Sequence, residues 1–177
     1  LFRFWPDLLT VRGLTLERKG ELREAQRILL AAEEEHEGVS VPYKANLLLS
    51  LGRVHVRLGE KEEAERWFRE AEAEGVDEAF VASTKAGALR RAGEKGEALR
   101  VLELSAERPP QSPEKWIELG KAHMEHGQFE QAVGAFRAAD GVAPERPQTI
   151  SHLGMALKAA GRNEEAETVW RQAIGLN

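Results

Sequence analysis

Residues 113–144 read PEKWIELGKAHMEHGQFEQAVGAFRAADGVAP, and this stretch decides the fold. Apolar residues recur at every third or fourth position on both sides of Gly127, which is the spacing of a buried helix face. Ser112 and Pro113 suit the start of a helix, as an N-cap and a first-turn residue. Gly127 suits the end of that helix, and Pro144 follows the second helix and prevents its continuation. The stretch therefore predicts two helices joined by a tight turn.

The same pattern recurs along the chain with a period of 34 residues. A Leu-Gly pair stands at 51–52, 119–120 and 153–154, and Ala86 replaces the glycine in the copy between the first two pairs. Each anchor is followed by a glycine after seven residues, an alanine after twelve and a large apolar residue after sixteen. Such agreement predicts four copies of one helical hairpin. The matching residues are Gly59, Gly93, Gly127 and Gly161; Ala64, Ala98, Ala132 and Ala166; and Phe68, Leu102, Phe136 and Trp170.

An earlier copy of the pattern carries Gly13, Gly20, Ala25 and Leu29 in the matching places, but it precedes the next copy by 39 residues. The extra five residues fall within residues 33–44. We therefore predict five repeats that start near residues 6, 45, 79, 113 and 147, the first with a lengthened tail. Residues 1–5 are predicted to be a remnant of upstream structure or a cap, since we expect the chain to be a fragment or a processed product.

Short helices of this kind are marginal in water on their own, so each hairpin needs neighbours. Stacking successive hairpins buries the apolar face that one hairpin leaves open. Gly120 and Ala132 would let two helices approach closely, while Trp116 and Phe136 fill the space around them. The expected fold is an all-α solenoid of about five antiparallel helical hairpins, formed by residues 6–177.

The fourth repeat resembles the tetratricopeptide repeat, whose pattern is W-x2-L-G-x2-Y, then A-x3-F, then a proline. One place differs, because His123 replaces the tyrosine. The resemblance covers about residues 6–177. It implies a right-handed superhelix whose concave face is lined mainly by the first helix of each repeat, and a peptide or protein partner bound on that face. The matching residues are Trp116, Leu119, Gly120, Ala132, Phe136 and Pro144.

The function that the resemblance implies is that of a protein-interaction scaffold or adaptor, not of an enzyme. One alternative is that the array selects the partner or substrate of a larger enzyme whose catalytic part lies outside this chain. A second alternative is RNA binding through basic first helices. Some members of the family clamp a C-terminal carboxylate with Lys, Asn and Arg on successive first helices. The equivalent positions here do not fit that clamp, and they are Thr10 with Leu14, Leu49 with Arg53, and Ser83 with Gly87.

The charge of the first helices suggests where a partner binds. The first fourteen residues of each repeat together carry a net charge of +6, whereas the whole chain carries −5. This asymmetry predicts a basic groove that receives an acidic segment. The alternative is that cations in the last helical turn interact with the helix dipole, which accounts for all but Arg53 and Lys121. The candidate partner-binding residues are Asn46, Arg53, Arg57, Ser83, Arg90, Lys121, His152 and Lys158.

Composition and motifs exclude several other classes of function. The chain has no cysteine, and it contains no nucleophile elbow, P-loop or dinucleotide fingerprint, so neither catalytic residues nor a cofactor are predicted. His123 and His126 have a spacing that can bind a metal, but His123 stands in the aromatic slot of the repeat, which favours packing. The net charge of the whole chain is negative, so it gives no overall attraction to nucleic acid or anionic lipid. The composition resembles that of a high-GC bacterium, and the cytoplasm is the expected compartment, with the periplasm open.

The end of the fifth repeat lacks the polar capping helix that solenoids normally need. Ile174 and Met155 would lie on the exposed stacking face. We predict that this edge is covered by end-to-end self-association, or by residues outside this chain.

Overall fold

The computed structural model describes residues 5–35, 41–173 and 175. In these ranges the chain is all-α, as predicted, with ten helices and no strand. The predictions for residues 1–4 and Ile174, and for residues 36–40 within the lengthened tail of the first repeat, lie outside the described residues. None of the described helices combines the length and the apolarity needed to cross a bilayer. The helices are α1 Trp5–Lys19, α2 Leu22–Glu34, α3 Val41–Leu58, α4 Lys61–Ala73, α5 Glu78–Arg91, α6 Lys95–Glu107, α7 Pro113–Glu125, α8 Phe129–Val142, α9 Pro147–Ala159 and α10 Asn163–Ala173.

The internal contacts divide the chain into two compact units, Leu1–Lys95 and Gly96–Asn177. In the first unit α1 pairs with α2 and α3 pairs with α4, while the first helices α1, α3 and α5 contact one another in succession. In the second unit α7 pairs with α8 and α9 with α10, and α8 also packs on α9. A single array over residues 6–177 stays a prediction.

Glycine at the anchor positions lets the two helices of a hairpin pack closely. A Cβ atom added to Gly52 would lie 2.6 Å from the Phe68 ring, and one added to Gly120 would lie 2.6 Å from the Phe136 ring. Real Cβ atoms do not approach other atoms this closely, so any larger residue forces the ring to move. The predicted close approach at Gly120 is confirmed, and Phe136 is fully buried beside it.

The ends of the helices follow the sequence signals. The Ser112 hydroxyl accepts a hydrogen bond from the Lys115 amide at the start of α7, with Pro113 in the first turn. Gly127 follows the end of α7 with a φ of 70°, a left-handed backbone that glycine adopts without strain.

The lengthening of the first repeat differs in detail from the prediction. Helix α3 begins at Val41, four residues before the predicted start near residue 45, and has 18 residues. Pro42 therefore falls in the first turn of α3, where its missing N–H leaves no donor unpaired. Part of the extra length thus extends a helix, and residues 36–40 lie outside the described residues.

A basic groove as candidate functional site

The first unit contains a groove of about 700 Å³ that is lined by residues of α1, α3 and α5. Its polar lining holds five arginines and one glutamate, which leaves an excess of four positive charges. A cleft lined by one sign of charge attracts ligands of the opposite sign. The charged residues are Glu17, Arg18, Arg53, Arg57, Arg90 and Arg91, and the rest of the lining is Leu14, Ser83, Thr84 and Gly87.

The single acidic residue of the groove is bound by Arg53. Glu17 is only 5% exposed, and its two carboxylate oxygens accept hydrogen bonds from Arg53 Nε at 2.9 Å and Nη2 at 2.7 Å. Arg53 Nη2 also donates to the Ser50 hydroxyl at 3.0 Å. This forked pairing fixes the guanidinium and is the strong form of ion pair. The charge of Arg53, which the helix dipole did not explain, is therefore neutralised within the groove.

Arg57 is held by the same residue through a different atom. Its Nη1 atom donates a hydrogen bond to the backbone carbonyl of Glu17 at 3.0 Å. A carbonyl bears no formal charge, so Arg57 keeps its positive charge while its position is fixed. The groove thus contains a guanidinium that is oriented in advance and still available to an anion.

The exposed rim of the groove carries further positive charge. Arg18 lies in the last turn of α1 and Arg91 in the last turn of α5, as the dipole argument predicts. In the part of the chain that the structure describes, neither of them pairs with a carboxylate. Arg90 is half-buried beside Arg91 and makes contacts of its own. The groove therefore combines fixed cations inside with cations open to solvent at its edge.

Four of the eight candidate residues line this groove together, namely Arg53, Arg57, Ser83 and Arg90. Asn46 is exposed on α3, two helical turns before Arg53 and on the same side by spacing, but it does not line the groove. The other three candidates belong to the second unit and line no part of the groove.

Two of these three residues have local partners among the described residues, and the third is exposed to solvent. Lys121 Nζ donates to Glu118 at 2.8 Å, one turn earlier on α7. His152 Nδ1 lies 2.7 Å from the Gln148 carbonyl, and its ring stacks on Phe136 at 5.3 Å. Lys158 is exposed in the last turn of α9. Lys121, the second cation outside the dipole argument, is thus paired along its own helix.

Sequence reasoning missed Glu17 as a member of the site. It lies on α1, 36 residues before Arg53, and its role depends on contact between neighbouring repeats. One signal in the sequence could have identified Glu17. It lies directly before an arginine on a first helix, and the residues at the equivalent position of the next two repeats are also each followed by an arginine. Arg18 and Arg91 were not among the eight candidates, and both line the groove.

Gly87 differs from the packing glycines. It lies inside α5 and lines the groove, and a Cβ atom added to it would meet nothing within 4 Å. Glycine inside a helix costs about 1 kcal/mol relative to alanine. Packing gives no reason for this glycine, so it leaves a gap on the groove wall.

His55 is the buried histidine of the first unit, in the aromatic slot of the second repeat. It is 4% exposed, and its Nδ1 atom lies 2.8 Å from Glu60 Oε2 without the alignment of a hydrogen bond. Burial lowers the pKa of His55, and the nearby Glu60 carboxylate only partly opposes this. The pKa of Glu60 is itself lowered, because hydrogen bonds from Arg23 and Gln26 outweigh the effect of its burial. His55 is therefore a neutral packing residue near neutral pH.

His123 also packs in the aromatic slot of its repeat. It is buried, and its Nδ1 atom lies 2.7 Å from Gln128 Oε1. The amide oxygen accepts from an Nδ1–H, which uses one ring nitrogen within the hairpin. This arrangement agrees with the packing interpretation of the His-x-x-His spacing.

Several solved structures resemble this chain in fold. MamA from Desulfovibrio magneticus RS-1 is 20% identical over 97% of this chain and 94% of that chain, with a TM-score of 0.58. MamA AMB-1 is 21% identical over 98% of this chain and 92% of that chain, with a TM-score of 0.55. YrrB, described as a TPR protein with an unusual peptide-binding site, is 19% identical over 96% and 84%, with a TM-score of 0.55. At these identities the likeness concerns the fold alone.

Comparison with curated proteins gives no match. The sequence profile of the tetratricopeptide repeat matches residues 10–78 and 84–148, and a second profile of the same repeat matches residues 148–176. The matches thus cover most of the chain, and they confirm the resemblance that the fourth repeat carries. This chain belongs to the tetratricopeptide repeat family.

Proposed function

We propose that this chain is a protein-interaction scaffold that binds an acidic segment of a partner polypeptide in the basic groove on α1, α3 and α5. The observation that carries the proposal is the lining, with five arginines and a single glutamate already neutralised by Arg53. A peptide carboxylate entering the groove meets an excess of positive charge and no competing free anion. Electrostatic complementarity of this kind selects the partner and speeds its association.

The bound Glu17 side chain supports a carboxylate as the ligand. It is itself a glutamate held by a guanidinium within this groove. A second carboxylate has Arg57, Arg18 and Arg91 within the same lining. Arginine suits this role because its planar fork matches the two oxygens of a carboxylate.

The comparisons agree with a binding role. YrrB is a TPR protein with a peptide-binding site, and its fold resembles that of this chain. We assign no reaction to these residues. A role as the partner-selecting part of a larger enzyme would use the same groove, and the full-length gene distinguishes the two functions.

The proposal is tested with a fluorescein-labelled peptide of about ten residues, which spans about 33 Å when extended. Three glutamates make it acidic, and a glutamine version serves as the uncharged probe. Anisotropy titrations compare the wild type with the Arg18→Glu/Arg91→Glu double variant. The matched control is Arg100→Glu, which reverses an exposed arginine on α6 outside the groove.

We expect the double variant to bind the acidic peptide at least about tenfold more weakly, which corresponds to about 1.4 kcal/mol. The Arg100→Glu control should bind like the wild type, and added salt should weaken the wild-type complex. Equal affinity for the two peptides, or equal losses in the double variant and the control, would contradict an acidic partner in this groove. Oligouridine of similar length, if it bound more tightly than the acidic peptide and depended on the same arginines, would favour RNA instead.

A further inference from the structure

We infer that the partner segment also carries one large apolar side chain, which contacts a subsite on α5 formed by Gly87 and Phe80. This inference rests on the proposed function and adds the second half of the partner's chemistry. The charged residues at the C-terminal end of α5 then select acidic residues of the segment, and the uncharged stripe of Phe80, Thr84 and Gly87 on the same helix selects the apolar residue.

The gap at Gly87 is the first observation. In the repeat register the equivalent residues of the other four repeats are Leu14, Arg53, Lys121 and Met155, all large. Only the third repeat has glycine at this position, and a Cβ atom added to Gly87 would have no neighbouring atom within 4 Å. The wall of the groove therefore carries no side chain at Gly87, and no neighbouring residue covers this position.

The second observation is an exposed aromatic ring on the same face of α5. Phe80 is 57% exposed, although large aromatic side chains are usually buried. Residues 80, 84, 87 and 91 follow one another at spacings of four, three and four, so they form one stripe along the helix. The stripe runs from Phe80, which lies just outside the groove lining, through Thr84 and Gly87 to the cation Arg91, which all belong to the lining.

The length of this stripe sets the spacing expected in the partner. A helix rises about 1.5 Å per residue, so Phe80 and Arg91 are about 16 Å apart along the axis, and Gly87 lies about 10 Å from Phe80. An extended peptide advances about 3.3 Å per residue. Because Arg91 lies about 6 Å along the axis from Gly87 and about 16 Å from Phe80, the apolar side chain of the partner should stand about two to five residues from its acidic residues.

The test uses the same labelled peptides as the charge experiment, with one addition. The first peptide has three glutamates and a phenylalanine about four residues from the nearest of them. The second has serine in place of that phenylalanine, and the third has the phenylalanine placed next to the glutamates. Wild-type protein is compared with Phe80→Ala and Gly87→Leu, the latter filling the gap.

Matched controls exist for both variants. Leu104→Ala removes another exposed apolar side chain, 48% exposed on α6. Gly134→Leu adds the same side chain at an exposed glycine in α8 that also has open space around it. Circular dichroism melting of each variant checks that the fold is retained.

We expect the first peptide to bind about tenfold more tightly than the second, because burial of a phenylalanine ring supplies that much affinity. Phe80→Ala should remove this advantage and leave the affinity of the serine peptide near its wild-type value. Gly87→Leu should also remove the advantage, while the two controls keep it. Equal affinity for the first and second peptides would overturn the inference. If binding still depended on Arg18 and Arg91, the acidic groove would stand without the apolar subsite. If the affinity depended neither on the phenylalanine nor on Arg18 and Arg91, the proposed function would be overturned as well.

Discussion

At the scale of single residues, the Glu17–Arg53 pair is central to the groove. Glu17 is nearly buried and carries the only negative charge in the lining, so its removal changes the charge of the groove by one unit. The same change breaks a forked ion pair whose arginine is partly shielded from solvent. Stability and binding should therefore respond to it in opposite directions.

We predict that Glu17→Gln lowers the free energy of unfolding by about 1–3 kcal/mol, because Arg53 loses its charged partner. The same variant should bind the acidic peptide several times more tightly, because Arg53 becomes available to it. Urea denaturation followed by circular dichroism measures the first effect, and peptide anisotropy measures the second. A loss of both stability and affinity would show that the pair organises the groove and does not compete with the ligand.

His55 gives a prediction about pH. Its pKa is lowered by burial, so the folded state binds this proton less readily than the unfolded state, in which the pKa is about 6.5. The contribution of neutral His55 to stability is therefore complete above about pH 6.5 and is lost as the pH falls through the folded pKa. Glu60, Glu63 and Arg66 are the charged groups that act on it. Because the pKa of Glu60 is lowered, Glu60 stays ionised in this range.

We expect the melting temperature of the wild type to fall between pH 7 and pH 5.5, and that of His55→Tyr, which has the family residue, to fall less. Thermal melts at both pH values measure the difference. An equal fall in the two proteins would assign the pH dependence to other groups.

A residue of the groove was predictable from the sequence when its role depends on its own helix, and not when it depends on contact with a distant part of the chain. Arg53, Arg57, Ser83 and Arg90 were predictable as binding residues because they lie on the first helices, which carry the excess positive charge and which the family resemblance places on the concave face. The pairing of Glu17 with Arg53 was not predictable, since it depends on how two helices of neighbouring repeats meet. Asn46 shows the limit of periodicity, because it shares the side of Arg53 and yet lies outside the lining.

At the scale of helices, the hairpins depend on a small residue opposite a large apolar side chain, which is an aromatic ring in three of them. Gly120 faces the Phe136 ring, and Gly154 faces the Trp170 ring. A Cβ atom added to Gly154 would overlap with the ring nitrogen of Trp170. The period of 34 residues made these glycines visible in the sequence, and the structure explains them by close packing. Gly134, in the exposed face of α8, has no such neighbour.

We predict that Gly120→Ala lowers the free energy of unfolding by about 1–3 kcal/mol, because the new methyl group displaces the Phe136 ring. Gly134→Ala should instead raise it by up to about 1 kcal/mol, since alanine is the better helix former and meets open space. Urea denaturation of both variants gives the comparison. Stabilisation by Gly120→Ala would contradict the packing role of the anchor glycines.

Helix boundaries were predictable where capping signals were strong. The start of α7 follows Ser112 and Pro113, and both were recognised from the sequence. The 34-residue template predicts the start of α3 near residue 45, whereas the helix begins at Val41, with Pro42 in its first turn as the local proline signal indicates. A local signal thus overrides the template where a repeat departs from the common length.

At the scale of the whole chain, the five repeats differ in charge although they share a fold. The basic groove belongs to the first unit, where the first helices carry most of the positive charge. In the second unit Lys121 pairs with Glu118, and the predicted extension of the basic lining through Lys121 and Lys158 stays a prediction. The sequence could indicate the sign of the charge on each helix, but not which cations are already paired.

Self-association is the other prediction at this scale. Met155 is 47% exposed on α9. An opening of about 620 Å³ beside α8 and α10 has a mixed lining of Asp140, Pro144, Glu145, Ile150, Leu153, Val169 and Gln172. Exposed apolar side chains such as Met155 favour contact with another surface. Light scattering over a range of concentrations should show an increase in mass that Met155→Glu reduces. A constant monomer mass at high concentration would count against self-association.

The most direct test of the central claim is to locate the bound peptide by NMR. Amide chemical shifts of the ¹⁵N-labelled protein are recorded during titration with the acidic, phenylalanine-containing peptide. The basic groove predicts the largest changes at Ser83, Thr84, Gly87 and Arg91 on α5 and at Glu17 and Arg18 on α1, with little change on α8 around Gly134. Changes confined to residues outside α1, α3 and α5 would contradict the claim that this groove binds the partner.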